Sequence, residues 1–102
     1  MTDRMTYLVQ ERDGTWRERD EKDTTWEATI TDLFNGQFDQ PHRVVEFNTA
    51  EGTSRDVSED FARAIDRNAH FHGKQLSHGV RTFIHENAPD LMVADFNMQA
   101  AE

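Results

Sequence analysis

Apolar and polar positions alternate near the amino terminus, as they do in β-strands. In the segment Met5–Arg12, Tyr7 and Val9 fall on one side and Leu8 and Gln10 on the other. This period of two predicts a strand, because successive side chains of a strand point to opposite faces.

A tight turn is predicted directly after this strand. Asp13 and Gly14 tolerate the positive φ angles that primed hairpin turns require. The segment Thr15–Arg19 is then expected to return as a short strand, at the sheet edge because its charged side chains discourage pairing with another molecule. We interpret Trp16, and Trp26 further along the chain, as anchors of the core or the hairpin.

The period changes to that of a helix after the charged run 18–23. Thr24 and Glu27 have the spacing of a capping box, so a helix is expected to begin there. Gly36 is placed to end it in a left-handed cap. The buried side of this helix is one apolar stripe, formed by Trp26, Ile30, Leu33 and Phe34.

A second β pattern occupies Arg43–Asn48, where Val44, Val45 and Phe47 are close together. We predict that this is the central strand. The order strand, helix, strand allows a right-handed parallel crossover if this strand pairs with the first.

Two further helices follow. Asp56 and Glu59 repeat the capping-box spacing at the start of the second helix, which is expected to end by Gly73. Ser77 is expected to cap the third helix and Pro89 to close it. The buried stripes are Val57, Phe61, Ile65 and Ala69 in the second helix, and Leu76, Val80, Phe83 and Ile84 in the third.

These elements predict a single α+β domain over residues 1–102, with the order β-β-α-β-α-α and a three-stranded sheet packed by helices. The folded core is expected over about residues 5–89. Residues 90–102 fit several structures, because Met92, Ala94, Phe96 and Met98 alternate like a strand while Leu91, Met92 and Phe96 also fit a helix. This segment is either a tail, an extra element of the core, or a contact between two copies of the chain.

Charge narrows the choice of partners. The chain has 20 acidic and 11 basic residues and a net charge of −9. Nucleic acid is an unlikely partner on this ground, because a field of this sign repels the phosphate backbone. The acidic residues keep the protein soluble or, alternatively, attract a basic protein partner.

With no cysteine, disulfides and thiolate sites are excluded. No apolar run has the length of a membrane span or of a signal peptide, so we expect no membrane association and a cytoplasmic location.

The best candidate binding site lies between the central strand and the second helix. Gly52, Thr53, Ser54 and Arg55 offer free backbone N–H groups, two hydroxyls and a guanidinium, which together suit a phosphate or carboxylate. Asn48 precedes this turn. The opposing interpretation is a self-capped corner, since Asp56, Glu59 and Asp60 already supply negative charge to the helix start.

A second candidate is a histidine cluster. With a carboxylate such as Glu86, imidazoles are good ligands for zinc, but the spacing does not match the HExxH pattern and is also typical of a polar surface. The alternative metal ligands are therefore His70, His72, His78 and His85. We assign no catalytic residue and no cofactor, because neither a nucleophile motif nor a phosphate-binding glycine pattern is present.

The run RVVEFNTAEGTSRDVSEDFARAI resembles the most distinctive stretch of a set of small, uncharacterised bacterial proteins. The similarity centres on FNTAEG and SRDVSED and is looser over most of the chain. It implies a bacterial origin and a shared fold, and it implies no activity.

Two functional hypotheses follow. In the first, the chain is a non-enzymatic protein-interaction or regulatory module that binds another protein or itself through residues 48–55 and the C-terminal segment, as a homodimer in the latter case. In the second, it is a small-ligand domain that binds an anion or a metal ion at one of the two candidate sites.

Overall fold

The computed structural model describes residues 5–91 of the chain. The order of elements is β1 (Met5–Glu11), a 3₁₀ turn (Glu21–Asp23), α1 (Trp26–Phe34), β2 (Pro41–Asn48), β3 (Thr53–Asp56), α2 (Ser58–His72) and α3 (His78–Asn87). The strands form one antiparallel sheet in the order β1-β2-β3. The predicted α+β class and the three-stranded sheet are confirmed, but the order is β-α-β-β-α-α.

The predicted second strand at Thr15–Arg19 is wrong. The turn at Asp13-Gly14 forms, with Gly14 at φ 94°, but the returning segment makes a single bridge between Gln10 and Trp16. The reason lies in its two arginines, whose guanidinium groups stack over the buried ring of Phe38 at 5.4 and 5.2 Å. The segment therefore packs against the core as an irregular edge.

The crossover between β1 and β2 is not parallel. The irregular segment runs back along β1, where Arg17 N–H donates to the Val9 carbonyl and Tyr7 N–H to the Thr24 carbonyl. Helix α1 then returns the chain to the far end of β1, so β2 starts opposite Glu11 and runs in the other direction.

The third strand lies where the sequence predicts a turn and a helix start. Strand β3 pairs with β2 from Asn48 opposite Thr53 to Val45 opposite Asp56. The tight turn between them contains Gly52 at φ 72°, a backbone conformation that favours glycine.

Local hydrogen bonds set the helix ends. Helix α1 is capped by Thr25, whose hydroxyl accepts from Ala28 N–H, and not by Thr24. The predicted cap of α2 at Asp56 is also shifted, since Val57 occupies the cap position and the Asp56 carboxylate accepts from Ser58 N–H instead. The other predicted ends are confirmed: Gly73 ends α2 at φ 64° and Ser77 caps α3.

The core lies between the sheet and the helices. Tyr7, Val9 and Val44 face it from the sheet. The Tyr7 ring packs edge-on against Trp26 at 5.7 Å and in a tilted arrangement against Phe61 at 5.4 Å. The helices contribute the predicted stripes, with these side chains fully or nearly fully buried: Ile30, Leu33, Phe61, Ile65, Ala69, Val80, Phe83 and Ile84. The helices therefore cover one face of the sheet.

The described chain ends beside this core. Leu91 packs against it after Ala88, whose carbonyl accepts from Leu91 N–H. The predictions made for residues 92–102 lie outside the described residues.

Candidate functional site

The hairpin between β2 and β3 holds the residues that the sequence singles out. Asn48 is nearly buried, and its side-chain oxygen accepts from Ala50 N–H at 3.0 Å and from Glu51 N–H at 3.1 Å. Its backbone carbonyl accepts from Gly52 N–H at 2.8 Å. In this structure Asn48 and Gly52 therefore build the turn, a role that follows from the preference of asparagine for bonding backbone two or three residues on.

Arg55 lies in a row of hydrogen-bonded side chains that crosses all three strands. Its Nε donates to Glu46 Oε1 at 2.9 Å, and the Tyr7 hydroxyl donates to Glu46 Oε2 at 2.8 Å. The register places these three residues side by side. The hydrogen bond from Tyr7 and then the pairing with Arg55 lower the pKa of Glu46, so the carboxylate is ionised and neutralises the guanidinium.

Thr53, Ser54 and Arg55 do not converge on one point. Alternation along β3 places Arg55 opposite Glu46, on the helix side of the sheet, and Ser54 opposite Phe47, on the other side. The hydroxyl of Ser54 and the guanidinium of Arg55 are therefore separated by the sheet. An anion at this turn has no set of donors gathered around it.

The uncovered face of the sheet is apolar at its centre. Leu8 pairs with Val45 across β1 and β2, and Phe47 lies next to them on the same face. All three side chains are half-buried, and none belongs to the hydrophobic core of the described residues. This surface, defined by Leu8, Val45 and Phe47, is called the open face below.

A shallow recess adjoins the open face at the hairpin end. Its volume is about 270 Å³. The lining residues are Thr6, Leu8, Phe47, Asn48, Thr49, Gly52 and Thr53. Three of the residues that the sequence selects, Asn48, Gly52 and Thr53, thus border an apolar recess and not a charged one.

Trp16 extends the open face at its other end. The bridge to Gln10 places the two side chains on the same side of the sheet, because directly opposed residues of an antiparallel pair share a face. Trp16 is 45% exposed. Of the two alternatives for Trp16, an anchor of the core or of the hairpin, its exposure excludes the core, whereas Trp26 packs on Phe61 at a ring distance of 4.2 Å.

The charges on the open face cancel each other. Arg43 and Asp56 lie at one corner of it, with 3.6 Å between Arg43 Nε and Asp56 Oδ2. A second guanidinium nitrogen of Arg43 donates to Asn87 Oδ1 at 2.6 Å. The face therefore presents no net charge, in a chain whose net charge is −9.

The four histidines proposed as metal ligands are spread over two helices. His70 and His72 lie in the last turn of α2, while His78 begins α3 and His85 lies in its last turn. All four are exposed. Between residues 5 and 91, no group of three or more histidine, aspartate or glutamate side chains is arranged to hold a metal ion.

Two surface features were missed by the sequence reasoning. The open face has a signal in the sequence, because both strands carry apolar residues on both sides: Tyr7, Leu8 and Val9 in one, Val44 and Val45 in the other. Phe71 also has a signal in the sequence, because it does not fall in the apolar stripe of α2. In the structure its side chain is 83% exposed. A strand pattern that is apolar on both faces and a helix aromatic on the polar side are the signals to search for.

Comparison with protein-family models, with curated proteins and with solved structures finds no match to this chain. In the part of the chain that the structure describes, no helix has the length and apolar character needed to cross a membrane.

Proposed function

We propose that this protein is a non-enzymatic protein-interaction module whose contact surface is the open face, with Trp16 at one end and the β2–β3 hairpin at the other. The observation that supports this most is the position of Leu8, Val45 and Phe47 on a sheet face that no described helix covers. Apolar side chains grouped on a surface mark sites where another molecule excludes water. Tryptophan is among the residues that contribute most to protein interfaces.

The partner that fits this face is a protein surface that is apolar and uncharged. Arg43 and Asp56 neutralise each other at the edge of the face, so a charged partner gains nothing there. Three strands about 4.8 Å apart form a face much smaller than the roughly 800 Å² per partner of a stable complex. The contact is therefore weak and transient unless the partner also covers Trp16 and the hairpin.

The geometry supports the alternative, a small-ligand site, less well. The Nε of Arg55 already donates to Glu46 at 2.9 Å, so an incoming anion competes with a carboxylate of the chain itself for this donor. The hydroxyl nearest to it in sequence, that of Ser54, lies on the other side of the sheet.

Site-specific photocrosslinking in the producing cells tests the proposal. A crosslinking amino acid at position 45 is expected to trap one discrete protein, or a second copy of this chain, because it lies at the centre of the open face. The same amino acid at Glu59, an exposed position on α2, serves as the matched control. The mass of the product identifies whether the partner is a second copy.

A pair of substitutions links the crosslink to the apolar surface. Leu8→Thr together with Phe47→Thr keeps side chains that favour strands and removes most of the apolar area. The double variant is expected to stay folded by circular dichroism and to lose the crosslink from position 45. Equal trapping from positions 45 and 59, or an unchanged crosslink in the folded double variant, contradicts the proposal.

A further inference from the structure

A second surface lies at the C-terminal end of α2, in the helical layer and away from the open face. Its most unusual residue is Phe71, whose side chain is 83% exposed. The ring is not isolated: it meets the His72 ring edge-on at 4.9 Å, and His72 meets the Phe34 ring at 6.1 Å. Lys74 Nζ lies 5.3 Å from the centre of the Phe34 ring. Phe71 is thus the outermost ring of a packed aromatic group.

The cations near Phe71 have no carboxylate partner among the described residues, whereas most other cations of the described chain have one. Within residues 5–91, Arg67 and Lys74 have no carboxylate within ion-pair distance and hold no hydrogen bond to another side chain. Most other cationic side chains are paired with carboxylates of the same chain, namely Arg12, Arg17, Arg19, Lys22, Arg43, Arg55 and Arg63.

The helix spacing places Arg67 and Phe71 together, because Phe71 is four residues after Arg67 and the two side chains lie on one side of α2. Lys74 follows the left-handed cap at Gly73, where helical spacing no longer applies, and its ammonium lies over the Phe34 ring. Phe34 is joined to Phe71 by the ring of His72, so Lys74 stands at the other end of the aromatic group. We call Arg67, Phe71 and Lys74 the α2 stripe.

Negative charge is sparse around the stripe. No aspartate or glutamate occurs between Arg67 and His85, although the chain has 20 acidic residues. Asp66 precedes the stripe, but its side chain is nearly buried and lies 3.5 Å from His70 Nε2. Asp32, in the last turn of α1, is paired with Arg19, with 3.5 Å between its Oδ2 and a guanidinium nitrogen. The stripe is thus a positive, partly aromatic surface on an acidic protein.

A purely structural role explains only part of this arrangement. Cations near the end of a helix stabilise its dipole, which accounts for Lys74 and for the histidines of the last turn. It does not account for an exposed phenylalanine one helical turn after Arg67. An exposed ring in a group that has cations at both ends, neither of them ion-paired within residues 5–91, fits a surface that receives a partner of opposite charge.

We propose that the α2 stripe docks an acidic polypeptide segment, with an apolar side chain of that segment on Phe71 and carboxylates beside Arg67 and Lys74. This surface is separate from the open face, so the chain has two contact surfaces with different partner chemistry. One accepts an uncharged apolar surface, and the other accepts an acidic segment.

A titration with a synthetic peptide tests this directly. The probe is a twelve-residue peptide of alternating glutamate and leucine, added to the isotope-labelled full chain and followed by amide NMR. We expect saturable shifts confined to residues near the α2 stripe in a buffer of physiological ionic strength, where the repulsion from the net charge of −9 is screened beyond about 8 Å and directly adjacent charges still attract. An alternating lysine and leucine peptide is the matched control, and it is expected not to shift these residues.

Substitutions separate the contributions of the ring and of the charges. Phe71→Ser and the double charge reversal Arg67→Glu with Lys74→Glu are each expected to weaken binding of the acidic peptide at least tenfold. Trp16→Ser removes another exposed large aromatic, on the other surface, and is expected to change this affinity less than twofold. Thermal unfolding verifies that each variant is folded.

Three results overturn the proposal. The first is the absence of shifts near the α2 stripe at millimolar acidic peptide. The second is unchanged affinity in the folded Phe71→Ser variant. The third is tighter binding of a single-stranded twelve-nucleotide RNA than of the peptide at the same residues, which assigns the surface to nucleic acid. None of these depends on whether position 45 crosslinks a partner.

Discussion

At the residue scale, Tyr7 joins the core to the row of hydrogen-bonded side chains that crosses the sheet. Its ring packs against Trp26 and Phe61, while its hydroxyl donates to Glu46. Burial, followed by the hydrogen bond to Glu46, raises the pKa of Tyr7 to about 12. The side chain therefore stays neutral at physiological pH, and its hydroxyl holds the Glu46 carboxylate in place.

We predict that Tyr7 ionises with a midpoint of about pH 12 in the folded protein. Because this pKa is raised above the ordinary value near 10, the neutral phenol stabilises the folded state fully below about pH 10, and this stability is lost as the pH rises toward 12. The chain has one tyrosine, so the absorbance of tyrosinate reports it alone.

The variant Glu46→Gln tests the cause of this shift. It removes the negative charge beside the phenol but leaves the burial, so the midpoint is expected to fall between the ordinary value and that of the wild type. Glu51→Gln makes the same charge change at an exposed turn position and is expected to leave the midpoint unchanged. A midpoint that does not move in folded Glu46→Gln contradicts the role of Glu46.

Gly79 is a second residue whose type the structure requires. It lies in the first turn of α3, and a Cβ placed there comes 2.0 Å from the Asp39 carbonyl oxygen. Alanine in place of glycine normally stabilises a helix by about 0.5–1 kcal/mol. Here we predict the opposite sign, a loss of about 1–3 kcal/mol for Gly79→Ala, because the loop before β2 must move away.

Urea unfolding followed by circular dichroism measures this difference. His85→Ala, at an exposed position of the same helix, is the control and is expected to be neutral or slightly stabilising. A Gly79→Ala variant as stable as the wild type is evidence that Asp39 yields without strain.

At the element scale, the start of α1 depends on Thr25. The Thr25 hydroxyl accepts from Ala28 N–H, one of the backbone donors at a helix start that have no partner within the helix. We predict that Thr25→Ala lowers the free energy of unfolding by about 1 kcal/mol and that Thr25→Asp retains most of it, because aspartate also caps. Chemical denaturation of the two variants compares them, and equal stability of Thr25→Ala and the wild type rules out this cap.

The helices were predictable from the sequence, and the strand order was not. Stripes such as Phe61, Ile65 and Ala69 repeat over several turns, and Gly73 and Ser77 have a local stop or cap preference that tertiary packing does not oppose. Thr24 and Thr25 are adjacent and have the same side chain, so the sequence does not show which of them caps α1. The choice depends on a tertiary contact, the hydrogen bond from Tyr7 N–H of β1 to the Thr24 carbonyl.

The errors in the sheet have a physical cause. The segment after Gly14 has the composition of an edge strand, but its two arginines pack on the ring of Phe38, which lies 21 residues after Arg17 and 19 after Arg19. Strand β3 has four exposed residues, so no burial pattern marks it. Its existence follows from the pairing with β2, which sequence periodicity does not contain.

The same limit applies to the candidate site. The sequence selects Asn48 and Gly52–Arg55 for their chemistry, and the structure brings them together in one hairpin. Whether their side chains converge depends on the register, which places Ser54 and Arg55 on opposite sides. A site that is described as one cluster in the sequence thus divides into a turn, a neutralised arginine and an apolar recess.

At the scale of the whole molecule, the charges are arranged by region. Carboxylates of the chain neutralise the arginines around the sheet, as in the pairs Arg12 with Glu86 and Arg17 with Glu11. The open face is left uncharged and the α2 stripe is left positive, while the net charge remains −9. The two surfaces therefore differ from the rest of this negatively charged molecule in different ways. The open face has no net charge, and the α2 stripe has a positive charge.

One hydrophobic core joins the sheet to all three helices, so we predict that the described elements unfold in a single transition. Trp26 is the natural probe, because its ring contacts Phe61 of α2 and Tyr7 of β1. In a Trp16→Phe background, Trp26 fluorescence and far-ultraviolet circular dichroism are expected to give the same urea midpoint. The complementary Trp26→Phe background leaves the half-exposed Trp16, whose fluorescence is expected to change less on unfolding. Two separate midpoints in the first background would mean that α1 detaches from the sheet before the other helices unfold, which a core shared by all these elements does not allow.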